Sequence, residues 1–424
     1  MVENSILLTF MIDSLRYDYI ERYQPAFLKK ISKRGYKIRI SEPLMFATQS
    51  AFFAGLYPDQ SNLATQFWFE PENSPFKFLK ILPLNMLDFI SKKIRYFDFG
   101  LRFIIKIIAR KIESLKGNTE SSHIDTRSIP LKFLPYFTFV KKKYIFEDKA
   151  YNFKTLFNYL KEQNHEWIFL AYPTHQNLTV NGIRNAFWNF KRKDDIKFLF
   201  FQFGEIDWIG HKNGPESPLI GYKLKKIDMV IKEIYNYYIG RGKNTKIIVF
   251  GDHGMVPVKY NVDIIRFFQR NGIYFSKHDR YFIDSILFRF WSYNKKRVIQ
   301  VEKALKNVSF GQLITKDIAK LKHFNFKHNR YGDLMFLANP EVIFFPNFYQ
   351  NRNKVKGMHG YGKSCNLNDT ELIIFEKKIK DKFTLSKNNH DLTDIFYLFL
   401  ILLDLDTNFS VEMQKKNKIL HPIS

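Results

Sequence analysis

The chain has 424 residues, 45% of them hydrophobic, with 45 Phe and 23 Tyr, and its 67 Lys and Arg exceed its 41 Asp and Glu to leave a formal charge of +26. That length accommodates one large α/β domain with insertions or two domains, and the apolar share excludes a chain too polar to bury a core. The positive balance favours anionic partners, but no finger-type Cys/His spacing, aromatic RNA-binding signature or long like-charge arm accompanies it, which argues against nucleic acid.

In chain order, the apolar run "ILLTFMI" predicts a first strand over Ile6–Ile12 that leads directly into Asp13; it is too short, and wrongly flanked, for a secretory leader. A helix over Gln24–Arg34 and a strand over Lys37–Ile40 follow, then a short helix over Ser50–Ala54 that runs into the Gly-Leu-Tyr-Pro turn at Gly55. Residues 75–144 break the pattern with a segment both basic and apolar, in which Leu101–Leu115 sets Arg102, Lys106 and Arg110 at i, i+4 and i+8 on one helical face with Ile and Phe over the rest. This insertion reads as a helical cap over the site, or as an interfacial helix on anionic membrane through residues 77–116. A helix over Asn152–Glu162 and strands over Trp167–Ala171 and Lys197–Phe203 resume the alternation, followed by a helix over Gly221–Tyr238, a strand over Lys246–Phe250 and a helix over Val262–Asn271. Residues 277–353 form a second, mixed insertion without a readable motif. The closing apolar helix over Leu392–Leu403 is far below the ~20 residues of a membrane span and reads as buried. Cys365 is the one cysteine, so no intramolecular disulfide is available and a reducing, cytoplasmic setting is expected, peripheral at most to the inner membrane face.

Strands alternating with helices predict a mostly parallel sheet sandwiched by helices, and in such sheets the chemistry lies beyond the carboxyl ends of the strands. Three predicted strand ends deliver ligand-type side chains there: Asp13 after the first, Asp207 and His211 in "EIDWIGHKNGPES", and Asp252 and His253 in "GDHGM". His359 lies between Gly357 and Gly360. Alone, an Asp at a strand end is often a helix cap and a His is often a core residue. Together, three carboxylates and three imidazoles make two mixed nitrogen and oxygen shells, a donor set for two zinc ions or for manganese. Asp207 and His211 fall one helical turn apart, and Gly210 between them permits close approach of the backbone to a ligand.

The ordered set "MIDSLRYDY", "AGLYP", "EIDWIGHKNGPES", "VFGDHGM" and "GMHGYG" resembles the type I phosphodiesterase/nucleotide pyrophosphatase family of the alkaline phosphatase superfamily. The resemblance covers the first 71 residues, Phe198–Met255, Met358–Gly362 and the closing helix, and implies an alkaline-phosphatase-like α/β fold for residues 1–424 with residues 75–144 and 277–353 inserted. It further implies that Asp207, His211 and His359 hold one metal ion, and that Asp13, Asp252 and His253 hold the other beside a Thr or Ser nucleophile. Aligned without a gap from Gly55, the family's threonine falls on Met45, which cannot accept a phosphoryl group. Shortening the helix by about a turn moves the role to Thr48, a good N-cap at the positive end of the helix dipole; Ser41 and Ser50 rank behind it. The family's substrate-binding asparagine corresponds to Gln66, and the following Phe67, Trp68 and Phe69 read mainly as core with room for a stacked base.

The expected activity is therefore hydrolysis of phosphate diesters or phosphoanhydrides through a covalent threonine intermediate, on a phosphorylated small-molecule or lipid- or glycan-linked substrate. One rival discharges the same intermediate onto a lipid or glycan hydroxyl at a membrane surface. Another keeps the metals and lacks the nucleophile, with Met45 as its support. Sulfate ester hydrolysis is poorly supported, because neither a Cys/Ser-x-Pro-x-Arg context nor a cysteine lies near residue 48.

Overall fold

A computed structural model describes residues 5–44, 48–120, 126, 128–190, 195–350, 352–386, 389–405 and 419–423. Its centre is a seven-stranded sheet built from β1 (Ser5–Ile12), β2 (Tyr36–Ser41), β3 (Glu166–Leu170), β4 (Ile196–Phe203), β5 (Asn244–Phe250), β6 (Thr370–Phe375) and β7 (His390–Asp391), in the spatial order β7-β2-β6-β5-β1-β4-β3. The pairings β5-β1, β1-β4, β4-β3 and β7-β2 are parallel, whereas β6 runs antiparallel to both β5 and β2. The five predicted strands are present within a residue or two of their expected limits; β6 and the short β7 were not foreseen.

Both faces of this sheet are covered, which explains why its strands read as continuous apolar runs rather than as alternation. On one face Phe198, Phe200, Ile248 and Phe250 pack under the helices Gln49–Ala54, Leu156–Glu162 and Asp394–Leu402. On the other, Leu199, Phe201, Ile247 and Val249 pack under Ala26–Arg34, Val180–Phe190 and Pro218–Ile239. The closing helix Asp394–Leu402 is buried as expected, and no described helix is long and apolar enough to cross a membrane. Local chemistry sets the helix limits. The helix expected from Asn152 starts at Leu156, because Thr155 and Asn158 form a reciprocal capping box.

The second insertion folds as a four-stranded antiparallel sheet in the order Asp279–Ile283, Leu287–Ser292, Leu334–Ala338, Gly311–Leu313, over an apolar core that it shares with the first insertion and that is separate from the two cores of the central sheet. Phe67–Phe69 pairs antiparallel with Phe137–Phe139 and joins that core: Phe67 and Trp68 are buried and Phe69 packs against it, so none of the three is an open base-stacking platform. In the first insertion two helices, Leu84–Lys93 and Arg95–Leu115, lie against each other. Here the expected basic face is corrected. Arg102 turns inward at 8% exposure, where Nε bonds the Asp98 carboxylate at 2.7 Å and one terminal nitrogen donates to the Thr126 and Ile129 carbonyls. A guanidinium with five donors finds these acceptors only on the protein side, and its displacement from the basic row leaves Phe and Ile facing outward.

Candidate active site

Parallel pairing brings the carboxyl ends of β1, β4 and β5 to one edge of the sheet, and each delivers an acidic residue there. Asp13 follows Ile12, with its amide bonded to the Phe203 carbonyl at 2.9 Å. Gly204 turns β4 into the helix Glu205–Asn213, on which Asp207 and His211 lie one turn apart, His211 Nε2 at 3.2 Å from Asp207 Oδ1. Asp252 and His253 follow β5 through Gly251, and His253 Nε2 lies 3.3 Å from Asp13 Oδ1 and 3.6 Å from Asp252 Oδ2. His359 comes next after the short strand Gly357–Met358, which pairs with Val256–Pro257 just beyond His253. It stacks on the His253 ring with centroids 3.5 Å apart, and its Nε2 is 3.8 Å from Asp207 Oδ1.

All six expected ligand residues thus meet in one place. Two groups have their donor atoms within 4.8 Å of one another: Asp13, Asp252 and His253, and Asp207, His253 and His359. The first is the trio implied by resemblance. In the second, His253 stands where His211 was expected, although His211 keeps its own contact with Asp207. The imidazoles are oriented for ligation: His211 Nδ1 bonds the Gly357 carbonyl at 2.8 Å and His253 Nδ1 the Gly254 carbonyl at 2.9 Å, which leaves both Nε2 atoms turned to the carboxylates. His359 Nδ1 is buried with no hydrogen-bond partner among the described residues, and the buried Asp207 Oδ1 has the His211 and His359 Nε2 atoms at 3.2 and 3.8 Å, neither in good hydrogen-bond geometry. Buried polar atoms without partners, facing other ligand-type atoms, fit a divalent cation.

The electrostatics agree. Burial, with the Asp252 and Asp207 carboxylates adding to it, pushes the Asp13 carboxyl up to about 7. Burial also raises Asp252, against the opposing pull of His253. For Asp207 burial acts upward but is overcome by His211 and the other imidazoles, so that its carboxyl lies below the usual range. Burial would lower His253, yet Asp252 and Asp13 hold it well above an ordinary histidine; burial and the charge of His253 hold His359 well below one. Such spread among buried neighbours is typical of a functional centre.

Gly210 has a different task from the one expected. A side chain there would meet Met255 Cε at 2.9 Å, and one at Gly357 would meet the Gly210 carbonyl at 2.6 Å. The two glycines let the Glu205–Asn213 helix touch the Gly357–Met358 strand, and this contact is what brings the Gly357 carbonyl to His211.

Thr48 is the N-cap of Gln49–Ala54, and its side chain makes no capping hydrogen bond. Met45 lies outside the described residues. Ser50 is buried inside the first turn with its hydroxyl on Ser61 at 3.2 Å, and the Ser41 hydroxyl is on the His390 carbonyl at 3.3 Å. A line of hydrogen bonds runs from the residue after Thr48 to the cluster: Gln49 Nε2 to the Tyr172 carbonyl, the Tyr172 amide to Gln202 Oε1, and Gln202 Nε2 to Asp13 Oδ2 at 3.1 Å. Gln66 is exposed just before Phe67–Phe69, and its carbonyl accepts from Val140.

Several supporting residues escaped the sequence reading. Gln202 is the only side chain with hydrogen-bonding groups among the six residues Phe198–Phe203, a legible signal. Ser14, at φ 64°, donates its amide to Asp252 Oδ1 and its hydroxyl to the Gly254 carbonyl. Asn368 bonds the Gly360 amide through Oδ1, the Gly254 amide through its carbonyl and the Glu42 carboxylate through Nδ2, and so ties three site loops together. Glu42 is buried, which pushes its carboxyl up to about 8. Nothing local in sequence marks Glu42 or Asn368, because the bond that joins them spans 326 residues.

The family profile described as Type I phosphodiesterase / nucleotide pyrophosphatase matches residues 7–362, and the chain belongs to that family. It is 21% identical over 266 residues to an uncharacterized pyrophosphatase/phosphodiesterase of Schizosaccharomyces pombe, covering 61% of this chain and 47% of that protein. It is 26% identical over 268 residues to GPI ethanolamine phosphate transferase 2 of Debaryomyces hansenii, covering 59% of this chain and 28% of that one. The chain thus spans about half the length of the first of these relatives and less of the second. Human ectonucleotide pyrophosphatase/phosphodiesterase 5 superposes with a TM-score of 0.65 at 15% identity, over 95% of this chain and 96% of that one. The murine protein, in an inactive form in complex with AMP, superposes with a TM-score of 0.63 at 16% identity and the same coverage. These likenesses establish an alkaline-phosphatase-type α/β fold.

Proposed function

From that membership we propose that the chain is a metal-dependent phosphodiesterase or nucleotide pyrophosphatase acting through a covalent intermediate on Thr48. Asp13, Asp252 and His253 would hold one divalent ion beside Thr48, and Asp207, His211 and His359 the other; the mixed donor sets favour zinc, with manganese as the alternative. When bound, two such ions supply Lewis-acid stabilisation of the attacking and leaving oxygens and lower the pKa of a nearby hydroxyl. Thr48 Oγ1 releases its proton to solvent and bonds phosphorus as the bond to the departing oxygen breaks, and that oxygen takes a proton from water. Water then attacks the phosphorus, the Oγ1–P bond breaks, and the threonine hydroxyl is restored. Gln66 donates from its carboxamide to a non-bridging oxygen.

One observation carries this reading: three strand ends and the His359 loop bring six ligand-type side chains together, joined by hydrogen bonds to a helix whose capping threonine makes no side-chain capping bond. The test is hydrolysis of a chromogenic phosphate diester, with the monoester and the sulfate ester alongside, by zinc-loaded wild type, Thr48→Ala and Met45→Ala. Diester cleavage lost only in Thr48→Ala supports the proposal. Full activity in Thr48→Ala removes this nucleophile, and failure of wild type on all three esters removes the hydrolase reading.

A second reading, transfer to a lipid or glycan hydroxyl, is favoured by the similarity to GPI ethanolamine phosphate transferase 2 and by the outward apolar face of the inserted helices. Supplying a soluble alcohol with the diester decides between them, since a transferase forms the new diester in preference to the hydrolysis product.

A further inference from the structure

Between Ile81 and Leu115 lie 12 of the 26 exposed large apolar side chains of the described residues, a concentration no other segment approaches. On the Arg95–Leu115 helix, Tyr96, Phe99, Phe103 and Ile107 form one outward stripe, with Ile104 and Ile108 beside it. Phe99 is 73% exposed and Phe103 57%. The opposite side of the same helix buries Arg102, Ile105, Ala109 and Glu113. A surface helix ordinarily turns its apolar side to the protein, and this one presents much of its apolar surface to solvent. The neighbouring helix Leu84–Lys93 extends the patch with Met86 and Phe89.

The charges of this hairpin are sorted in the same way. All three of its acidic residues face inward: Asp88 accepts from the Leu131 and Lys132 amides, Asp98 binds Arg102, and Glu113 takes Asn118 and Lys116. Its exposed charges, by contrast, are cations, among them Lys92, Lys93, Arg95, Arg110 and Lys111. An apolar stripe bordered by cations and free of exposed carboxylates complements one surface in particular, the headgroup and acyl boundary of an anionic bilayer. A two-fold contact with a second copy would set each cation row against its own image. No described helix, this hairpin's included, is long and apolar enough to cross a membrane, so the contact is one of the hairpin lying on the surface.

We propose that the Leu84–Leu115 hairpin docks the chain onto anionic lipid membrane, with Phe99, Phe103, Ile104 and Ile107 entering the acyl boundary while Lys92, Lys93 and Arg95 meet the phosphates. This docking stands independently of the phosphodiesterase reading.

The experiment is cosedimentation with vesicles of phosphatidylcholine alone and of equal parts phosphatidylcholine and phosphatidylglycerol. It compares wild type, Phe99→Ser/Phe103→Ser, Lys92→Glu/Lys93→Glu, and, as a control of equal charge change at exposed positions elsewhere, Lys225→Glu/Lys226→Glu. The substituted side chains point outward, so all four proteins should melt together. Wild type should bind the anionic vesicles at least tenfold more tightly than the neutral ones, the two hairpin variants should each lose about tenfold or more, and the control should bind as wild type. The proposal falls if wild type stays in the supernatant with anionic vesicles. It also falls if Phe99→Ser/Phe103→Ser binds unchanged, or if the control loses as much as Lys92→Glu/Lys93→Glu, which would make the whole net charge responsible. A dimer seen by light scattering that Phe99→Ser/Phe103→Ser dissociates, without vesicle binding by wild type, would assign the face to a second copy and overturn it.

Discussion

Metal removal should leave a mark on stability that separates ligands from structural caps. With no cation present, Asp13 and Asp252 hold donor atoms within 4.8 Å in a buried setting, a repulsion of about 3.5 kcal/mol or more between the two ionised carboxylates at an effective dielectric of ~20 that His253 only partly offsets. A divalent ion that binds the folded chain alone at a hundredfold excess over its dissociation constant adds about 2.7 kcal/mol. Unfolding entropy near ~2.1 cal/mol/K per residue gives about 0.9 kcal/mol/K for a chain of 424 residues, so each ion raises Tm by about 3 °C and two independent ions by about 6 °C. Asp252→Asn sharpens the test. Asparagine keeps an oxygen for the Ser14 amide and discards the buried charge, and burial already disfavours that charge despite His253. At pH ~8.5, above the value of about 7 to which the Asp13 carboxyl is raised, the variant should therefore melt higher than wild type without metal and lose at least half of the metal-induced rise. Scanning fluorimetry after chelation and after reloading with zinc measures both. If reloading moves the wild-type Tm by less than about 1 °C, or if Asp252→Asn melts lower than wild type in chelator, these carboxylates are structural and the metal-centre argument is refuted.

Thr48→Ala should change the denaturant midpoint little, since its side chain makes no capping bond, whereas Thr315→Ala, which removes an acceptor for the Ile318 amide, should cost ~1 kcal/mol; equal losses would mean that Thr48 is an ordinary cap. Glu371 is buried with one oxygen unpartnered, and burial pushes its carboxyl from an ordinary 4.5 up to about 8. The folded chain then holds a proton that the unfolded chain has released, so stability from this group falls as pH rises from ~4.5 to ~8, by at most about 5 kcal/mol, and Glu371→Gln should become progressively more stable than wild type over that window in urea titrations. The Arg289 and Asp284 side chains are fully buried, paired at 2.7 Å, and Arg289 also donates to the Phe67 carbonyl at 2.7 Å. Arg289→Met should cost about 3–5 kcal/mol by leaving Asp284 unpaired, and adding Asp284→Leu should recover most of it; a double variant as weak as the single would contradict the pair as the cause.

The sequence by itself determined the alternating α/β pattern and the strand ends at Asp13, Asp207 and Asp252, because continuous apolar runs and ligand-type residues at their ends are local signals. It also showed that residues 75–144 are amphipathic, but not which side faces the protein. Only tertiary structure decided that Arg102 turns inward, since its acceptors at Thr126 and Ile129 are on a different segment, and that Phe99 and Phe103 consequently face out. The same holds at the site. Gly210 and Gly357 are distant in sequence and acquire their meaning from a contact that orients His211, while Asn368 and Glu42 gain their roles from a bond between segments 326 residues apart. Periodicity and spacing report what a residue does within its own element. Long-range hydrogen bonds form only when elements meet, and they decided which histidine nitrogens face the carboxylates and which face of the inserted hairpin is left uncovered.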